Sequence, residues 1–127
     1  MPDTPATSVP PVHELVPTAD LEAWPLAADQ VVEGDPLARG RLLWKSADSK
    51  LAAGIWECSP GVFDWVHADE TACVVSGRAL VTVGSQVPLE LGPGSVVFFP
   101  KGTKSRWHVQ ETIRKAFHLH SDAGLAL

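Results

Sequence analysis

The residues best suited to chemistry in this chain are one carboxylate, Glu70, and the aromatic and polar side chains near it. Two runs with strand character carry such side chains at every second position: Phe63, Trp65 and His67 in one run, and Ser105 and Trp107 in the other. Side chains two residues apart on a strand point to the same face. If both faces look into one cavity, Glu70 lies among indole and phenyl rings.

Such surroundings suggest two chemical roles for Glu70. Burial among apolar groups disfavours the charged carboxylate and raises its pKa, as a general acid or base requires. An aromatic cage with one anion also suits a cationic or partly apolar small ligand. The structural alternatives are that Phe63 and Trp65 fill a barrel core, and that Glu70 is bonded to the backbone or to Arg106 or Arg114.

The histidines allow a metal site as an alternative. His67 lies close to Glu70 in sequence, and His118 shares a face of the last predicted strand with His120, so His67, Glu70 and His118 form one conceivable ligand set. His108 lies on the face opposite Ser105. Ser105 would be a nucleophile only if the fold paired it with a histidine, and Cys58 and Cys73 are predicted to be buried, reduced thiols on strands.

Length and composition limit the class of protein. A chain of 127 residues, 45% hydrophobic and 20% charged, predicts a single packed domain. No apolar stretch reaches the roughly 18 residues of a membrane helix, and the first residues lack the pattern of a signal peptide, so a cytoplasmic location is expected. The net charge of −5 argues against a nucleic-acid partner.

Proline and acidic residues are concentrated at the start of the chain. The first 40 residues contain seven of the eleven prolines and seven acidic residues against one basic residue. Residues 1–20 are therefore predicted to form an extended or disordered arm, and residues 21–127 a single domain. The arm is either a solvated tail or a segment that lies along a neighbouring subunit through Val9, Val12, Leu15 and Val16.

From Arg41 onward the chain reads as short strands separated by turn residues. The predicted strands cover residues 41–45, 53–59, 63–67, 71–76, 79–83, 87–91, 95–99, 105–110 and 113–119. Turns at this spacing favour an antiparallel all-β jelly-roll barrel. Residues 19–24 have the pattern of one helical turn that ends at Trp24-Pro25.

Two segments resemble the signature motifs of the cupin superfamily. Glu70 is followed after six residues by Gly77, and Gly94 is followed after five residues by Pro100-Lys101-Gly102. The surrounding residues, among them Trp56-Glu57-Cys58 and Phe99-Pro100-Lys101-Gly102-Thr103, resemble the branch that contains the ureidoglycine aminohydrolase cupin domain and the ethanolamine-utilisation cupin. The resemblance covers about residues 24–119 and implies a jelly-roll barrel, commonly a homodimer.

The chain departs from the metal-binding pattern of that superfamily. Projected onto this sequence, the two motif histidines fall on Phe63 and Trp65, the glutamate on Glu70, and the last histidine on Ser105. A transition metal needs three or four N, O or S donors, so no metal cofactor is expected.

The resulting hypothesis is a small-molecule-binding cupin that uses Glu70 in an aromatic cavity shaped by Trp56, Phe63, Trp65 and Trp107. Catalysis without a metal, by proton transfer, isomerisation or hydrolysis, is left open. The alternatives are a metal-dependent hydrolase of a ureido or amino compound with an altered ligand set, and a non-catalytic sensor or scaffold.

Overall fold

Strands account for most of the chain in the computed structural model, which describes residues 11–127. Nine strands and one 3₁₀ helix, Ala28–Gln30, lie within this range. The strands are β1 (Glu22–Ala23), β2 (Val31–Glu33), β3 (Ala38–Lys45), β4 (Leu51–Cys58), β5 (Gly61–Val66), β6 (Asp69–Val83), β7 (Leu89–Leu91), β8 (Val96–Phe99) and β9 (Lys104–His120). The all-β prediction is confirmed.

Two long strands organise the sheet. β6 and β9 pair antiparallel from end to end, from Asp69 opposite His120 to Val83 opposite Ser105. The second half of β9 also pairs with β4 and its first half with β5, while the free edge of β6 pairs with β8 and then β7. The sheet therefore curls into two halves that share β6 and β9, in the orders β1-β3-β4-β9-β6-β8 and β2-β5-β9-β6-β7.

Gly77 bends β6 without ending it. Separate strands were predicted at residues 71–76 and 79–83, and again at 105–110 and 113–119, but each pair is one continuous strand. Gly77 has a φ of 85°, and a Cβ there would collide with the carbonyl oxygen of Thr112 on β9. Because the pairing register shifts around this glycine, both strands turn from one half of the sheet to the other.

The helical turn predicted at residues 19–24 is wrong. Glu22–Ala23 forms β1, which pairs with Gly40 and Arg39 of β3. The Trp24 ring lies directly over Gly40, where a Cβ would overlap it. Packing of this tryptophan against the sheet therefore determines the local backbone, and the weak helical pattern does not.

The described part of the N-terminal arm lies on its own barrel. Arg114 Nη1 donates hydrogen bonds to the carbonyl oxygens of Val16 (2.9 Å) and Ala19 (3.0 Å). Glu14 forms an ion pair with Arg41 at 2.6 Å. Residues 1–10, which include Val9, lie outside the described residues, so the choice between a solvated tail and an intersubunit arm stays open.

The core lies between the two halves of the sheet and is rich in rings. Phe63 and Trp107 are each 1% exposed and stack with their centroids 6.0 Å apart. Phe99 is equally enclosed, and aliphatic side chains fill the remaining space. On the outer face, Phe98 is well exposed. Within residues 11–127, no helix is long and apolar enough to cross a membrane.

Candidate functional site

Four polar side chains meet inside the barrel because the registers of β9 against β5 and β6 bring them together. His67 lies between β5 and β6, where its backbone N–H donates to Thr103 O and its carbonyl accepts from Gly102 N. Glu70 is the second residue of β6, Ser105 the second of β9, and Lys115 lies ten residues further along β9.

These four side chains form one continuous hydrogen-bonded chain. Lys115 Nζ lies 2.6 Å from Glu70 Oε2, and His67 Nδ1 lies 2.9 Å from Glu70 Oε1. His67 Nε2 lies 2.7 Å from Ser105 Oγ. All four residues are 6% exposed or less. A buried polar cluster in which every group is paired is held in one geometry, because breaking any bond leaves an unsatisfied group.

Glu70 is held in its charged form, contrary to the sequence-based expectation. Burial alone raises its pKa, but the ammonium of Lys115 and hydrogen bonds from His67 and Lys115 outweigh burial and lower the pKa to about 2. The prediction of a raised pKa, suited to a general acid or base at neutral pH, is therefore wrong. Its source was the assumption that Glu70 faced aromatic rings alone.

The missing partner was Lys115, and strand periodicity contained the signal for it. Ile113, Lys115 and Phe117 alternate along the predicted strand 113–119, and all three are buried. Lysine is rarely buried without a partner, so Lys115 was not expected inside the barrel. The pattern that would have identified the pair is an inward-facing lysine on one strand and an inward-facing glutamate on the neighbouring strand.

The aromatic cage is occupied by this lysine. Its Nζ atom lies 4.7 Å from the ring centroid of Trp56 and 4.8 Å from that of Trp107. These are cation–π distances, so the rings and Glu70 stabilise a cation that belongs to the protein. The predicted role of Glu70 as the anchor for a cationic ligand therefore does not match the geometry.

Ser105 is enclosed by donors and acceptors. Trp107 Nε1 donates to its Oγ at 3.1 Å, and the carbonyl oxygen of Trp65 lies 3.2 Å from the same atom. The His67 ring stacks on Phe99 with centroids 3.9 Å apart and an interplanar angle of 9°. These contacts fix both the imidazole and the hydroxyl in place. Strand alternation placed Trp107 on the same face as Ser105, but the His67 and Trp65 partners could not be identified from sequence spacing.

A cavity of about 1390 Å³ lies over this polar cluster. Most of the predicted site residues line it: Trp56, Phe63, Trp65, His67, Glu70 and Trp107. Residues 20–27, which include Asp20 and Glu22, add further wall, and Leu125–Leu127, Phe117 and Leu119 add apolar wall. Neither Ser105 nor His118 lines this cavity. Phe63 is buried in the core as well, so it fills the barrel and forms part of the cavity floor.

The donor set does not fit a transition metal. Of the four projected positions, Phe63 and Trp65 have no suitable donor, and both oxygens of Glu70 are already bound to Lys115 and His67. The alternative set of His67, Glu70 and His118 is wrong, because His118 is exposed on the outer face of β9. Within the described range, no three His, Cys, Asp or Glu side chains are grouped as metal ligands. Absence of a metal cofactor stays a prediction.

The two cysteines differ in environment. Cys58 is buried as predicted, and burial with the nearby Glu57 carboxylate raises the pKa of its thiol to about 12. Cys73 is exposed on β6, so the expectation of a buried thiol is wrong there. Neither lies in the polar cluster.

Comparison with known proteins supports the fold and the family. The model of the EutQ-like cupin domain family matches residues 45–117. No curated protein sequence matches the chain significantly. Among solved structures, Clostridium difficile EutQ has a TM-score of 0.59 at 23% identity, covering 67% of this chain and 63% of that one.

Two further structures have the same fold. A Pseudomonas syringae protein of unknown function from the DUF861 family has a TM-score of 0.71 at 22% identity, covering 80% of this chain and 44% of that one. The Schizosaccharomyces pombe Cnp3 cupin domain has a TM-score of 0.66 at 17% identity, with 88% and 75% covered. The jelly-roll barrel is confirmed, and the chain belongs to the family of EutQ-like cupin domains.

Proposed function

We propose that this protein binds a small, uncharged, partly apolar organic molecule in the barrel cavity, through a carbonyl or hydroxyl oxygen that accepts a hydrogen bond from Lys115. The observation that supports this most strongly is the buried pair of Lys115 and Glu70 at the cavity floor. Lys115 thus replaces Glu70 as the ligand anchor, and Glu70 holds the lysine in place.

Charge balance favours an uncharged ligand. The ammonium and the carboxylate cancel, and both are almost fully removed from solvent. A charged ligand bound at Lys115 would place a further charge beside a buried pair that is already neutralised, which costs several kcal/mol in typical sites. A polar but neutral group avoids this cost and still satisfies the lysine.

The number of N–H donors on Lys115 supports the same ligand class. Among residues 11–127, Glu70 is the one hydrogen-bond acceptor on Lys115 Nζ, and an ammonium has three donors. The tryptophan rings beside Nζ give an apolar surface for the body of the ligand. A cavity with apolar walls and few polar groups is typical of small-molecule sites.

Three probes of similar shape test the charge preference: benzamide, benzylammonium and benzoate. Each is titrated into ¹⁵N-labelled protein, and the five indole N–H resonances are followed by NMR. Trp24, Trp56, Trp65 and Trp107 line the cavity, whereas Trp44 does not, so Trp44 is an internal control. Benzamide is expected to shift the cavity resonances at the lowest concentration and to leave Trp44 unchanged.

Lys115→Met provides the matched test of the anchor. It should weaken benzamide binding by about 10-fold, since a hydrogen bond to a charged donor contributes roughly 1.5 kcal/mol or more. Lys101→Met, at an exposed lysine outside the cavity, should not change binding. Tightest binding of benzylammonium, or equal shifts at Trp44, would contradict the proposal.

We further propose that the site works without a metal, because both oxygens of Glu70 are already bound by His67 and Lys115, and Phe63 and Trp65 offer no donor. Elemental analysis after incubation with Mn, Fe, Ni and Zn salts checks this, and one tightly bound metal per chain would contradict it. The likeness to the ureidoglycine aminohydrolase branch, the homodimer and the cytoplasmic location stay predictions.

A further inference from the structure

We propose that Ser105 is a nucleophile activated by His67 and Glu70, and that the protein forms an acyl-enzyme with small carboxylic esters. This inference goes beyond ligand binding at Lys115 and does not depend on it, because it concerns a different face of the polar cluster. No serine-elbow motif is present in the sequence, so the arrangement is visible in the fold alone.

The distances are those of an activated serine. Ser105 Oγ lies 2.7 Å from His67 Nε2, and His67 Nδ1 lies 2.9 Å from Glu70 Oε1. Serine, histidine and carboxylate thus follow one another through the two ring nitrogens, which is the order by which unrelated hydrolases activate a hydroxyl. A nucleophile within hydrogen-bond reach of a base that a third group orients is the general signature of this chemistry.

Donor and acceptor counting places the protons. An ionised carboxylate accepts hydrogen bonds and donates none, so the proton between His67 and Glu70 belongs to Nδ1. In the neutral imidazole Nε2 accepts from the Ser105 hydroxyl at 2.7 Å, which is 0.5 Å shorter than the alternative bond that Oγ donates to the carbonyl of Trp65 at 3.2 Å. The Trp107 N–H occupies one lone pair of Oγ, which leaves one lone pair for attack.

Ser105 lies at the wall of a second cavity. A space of about 480 Å³ is lined by Ser105 together with Lys104, Arg106 and Asp64. Trp65 and Val66 line both this cavity and the larger one, so they form the wall between them. Ser105 therefore borders one cavity while His67 borders the other.

The reaction balances with water as the one co-reactant. Oγ attacks the ester carbonyl carbon as its proton moves to His67 Nε2, and the C–O bond to the leaving alcohol breaks as that oxygen takes the proton from His67. Water then attacks the acyl group on Ser105, gives a proton to His67, and releases the carboxylic acid as the proton returns to Oγ.

Phenylmethylsulfonyl fluoride tests the nucleophile without knowledge of the substrate. Oγ attacks sulfur, the S–F bond breaks, and fluoride and the serine proton leave. Intact mass spectrometry is expected to show one sulfonyl adduct per chain, and peptide mapping of the wild-type protein should locate it on Ser105. Mapping on the wild type keeps the test valid even if a variant folds poorly.

Variants separate activation from structure. Ser105→Ala should abolish the adduct, whereas Ser121→Ala, at another buried serine, should leave it unchanged. His67→Gln, compared while still folded, should slow labelling by at least about 100-fold. Glu70→Gln should slow it by about 10-fold or more through the orientation of His67.

Two results would overturn the inference: no adduct on Ser105 in the folded wild-type protein, or an undiminished labelling rate in folded His67→Gln. Neither result depends on the benzamide titration, so failure here and failure of the ligand-binding proposal are distinguishable.

Discussion

Lys115→Met removes the charge that neutralises Glu70 while keeping most of the side-chain volume. The variant leaves a carboxylate, 5% exposed, without its cation. Removing one partner of a buried ion pair typically costs about 3–5 kcal/mol of unfolding free energy. Burial raises the pKa of Glu70, yet Lys115 and His67 together lower it to about 2, which agrees with this loss in direction. We therefore expect a loss of about 3 kcal/mol at pH 7.

Urea unfolding followed by tryptophan fluorescence measures this loss. In thermal unfolding, a loss of this size should lower Tm by roughly 10 °C or more for a domain of this length. The double variant Glu70→Gln/Lys115→Met has no buried charge at the pair, so it should regain at least half of the lost stability. Lys101→Met, at an exposed lysine, should stay within about 0.5 kcal/mol of wild type.

Two outcomes would contradict the expected contribution of the Lys115–Glu70 pair to stability. One is a loss below about 1 kcal/mol in Lys115→Met, which would mean that the pair is hydrated or dispensable. The other is a double variant that is less stable than either single variant, which would mean that the two residues do not act as a coupled pair.

Three further predictions follow from the fold and the site. Because the pKa of Glu70 is lower in the folded state, its contribution to stability is complete above the unfolded pKa near 4.5 and is lost as the pH falls toward 2. In urea titrations over this range, the wild-type protein should lose about 3 kcal/mol more unfolding free energy than Glu70→Gln. Parallel curves of unfolding free energy against pH would contradict this. Gly77 has a φ of 85°, and the added methyl group of Gly77→Ala would meet the backbone of β9, so this variant should lose more than about 2 kcal/mol of unfolding free energy. Gly84→Ala, at a φ of 58° with open space around it, should lose about 1 kcal/mol. Equal losses in urea unfolding would argue against the close approach of β9 to Gly77. Arg114→Met removes the two hydrogen bonds from Arg114 to the carbonyl oxygens of Val16 and Ala19. Chymotrypsin should therefore cut within residues 11–20 faster than in the wild-type protein or in the control variant Arg78→Met. Unchanged cleavage would mean that other contacts hold the arm.

The fold class followed from the sequence because turn chemistry is local. Pro60-Gly61, Gly84 and Gly92-Pro93-Gly94 each mark a chain reversal where the backbone conformation is dictated by the residues themselves. Gly77 was misread for the same reason. A glycine with positive φ ends a strand in one context and bends it in another, and the close approach of β9 that decides between them is a long-range contact.

The site was predicted in part. Alternation along the strands correctly grouped Phe63, Trp65 and His67 at one cavity, since this depends on backbone geometry alone. The partners of Glu70 could not be obtained that way. Lys115 is 45 residues distant, and its contact depends on the register of β6 against β9. The same register, with that of β5 against β9, brings Ser105 to His67.

A crystal structure of the protein soaked with benzamide is the decisive test of ligand binding at Lys115. We expect the amide oxygen within about 3.2 Å of Lys115 Nζ, with the phenyl ring against Trp56 and with the contact between Lys115 and Glu70 intact. A ligand whose amide contacts Glu70 in place of the lysine, or an empty cavity at saturating benzamide, would contradict it.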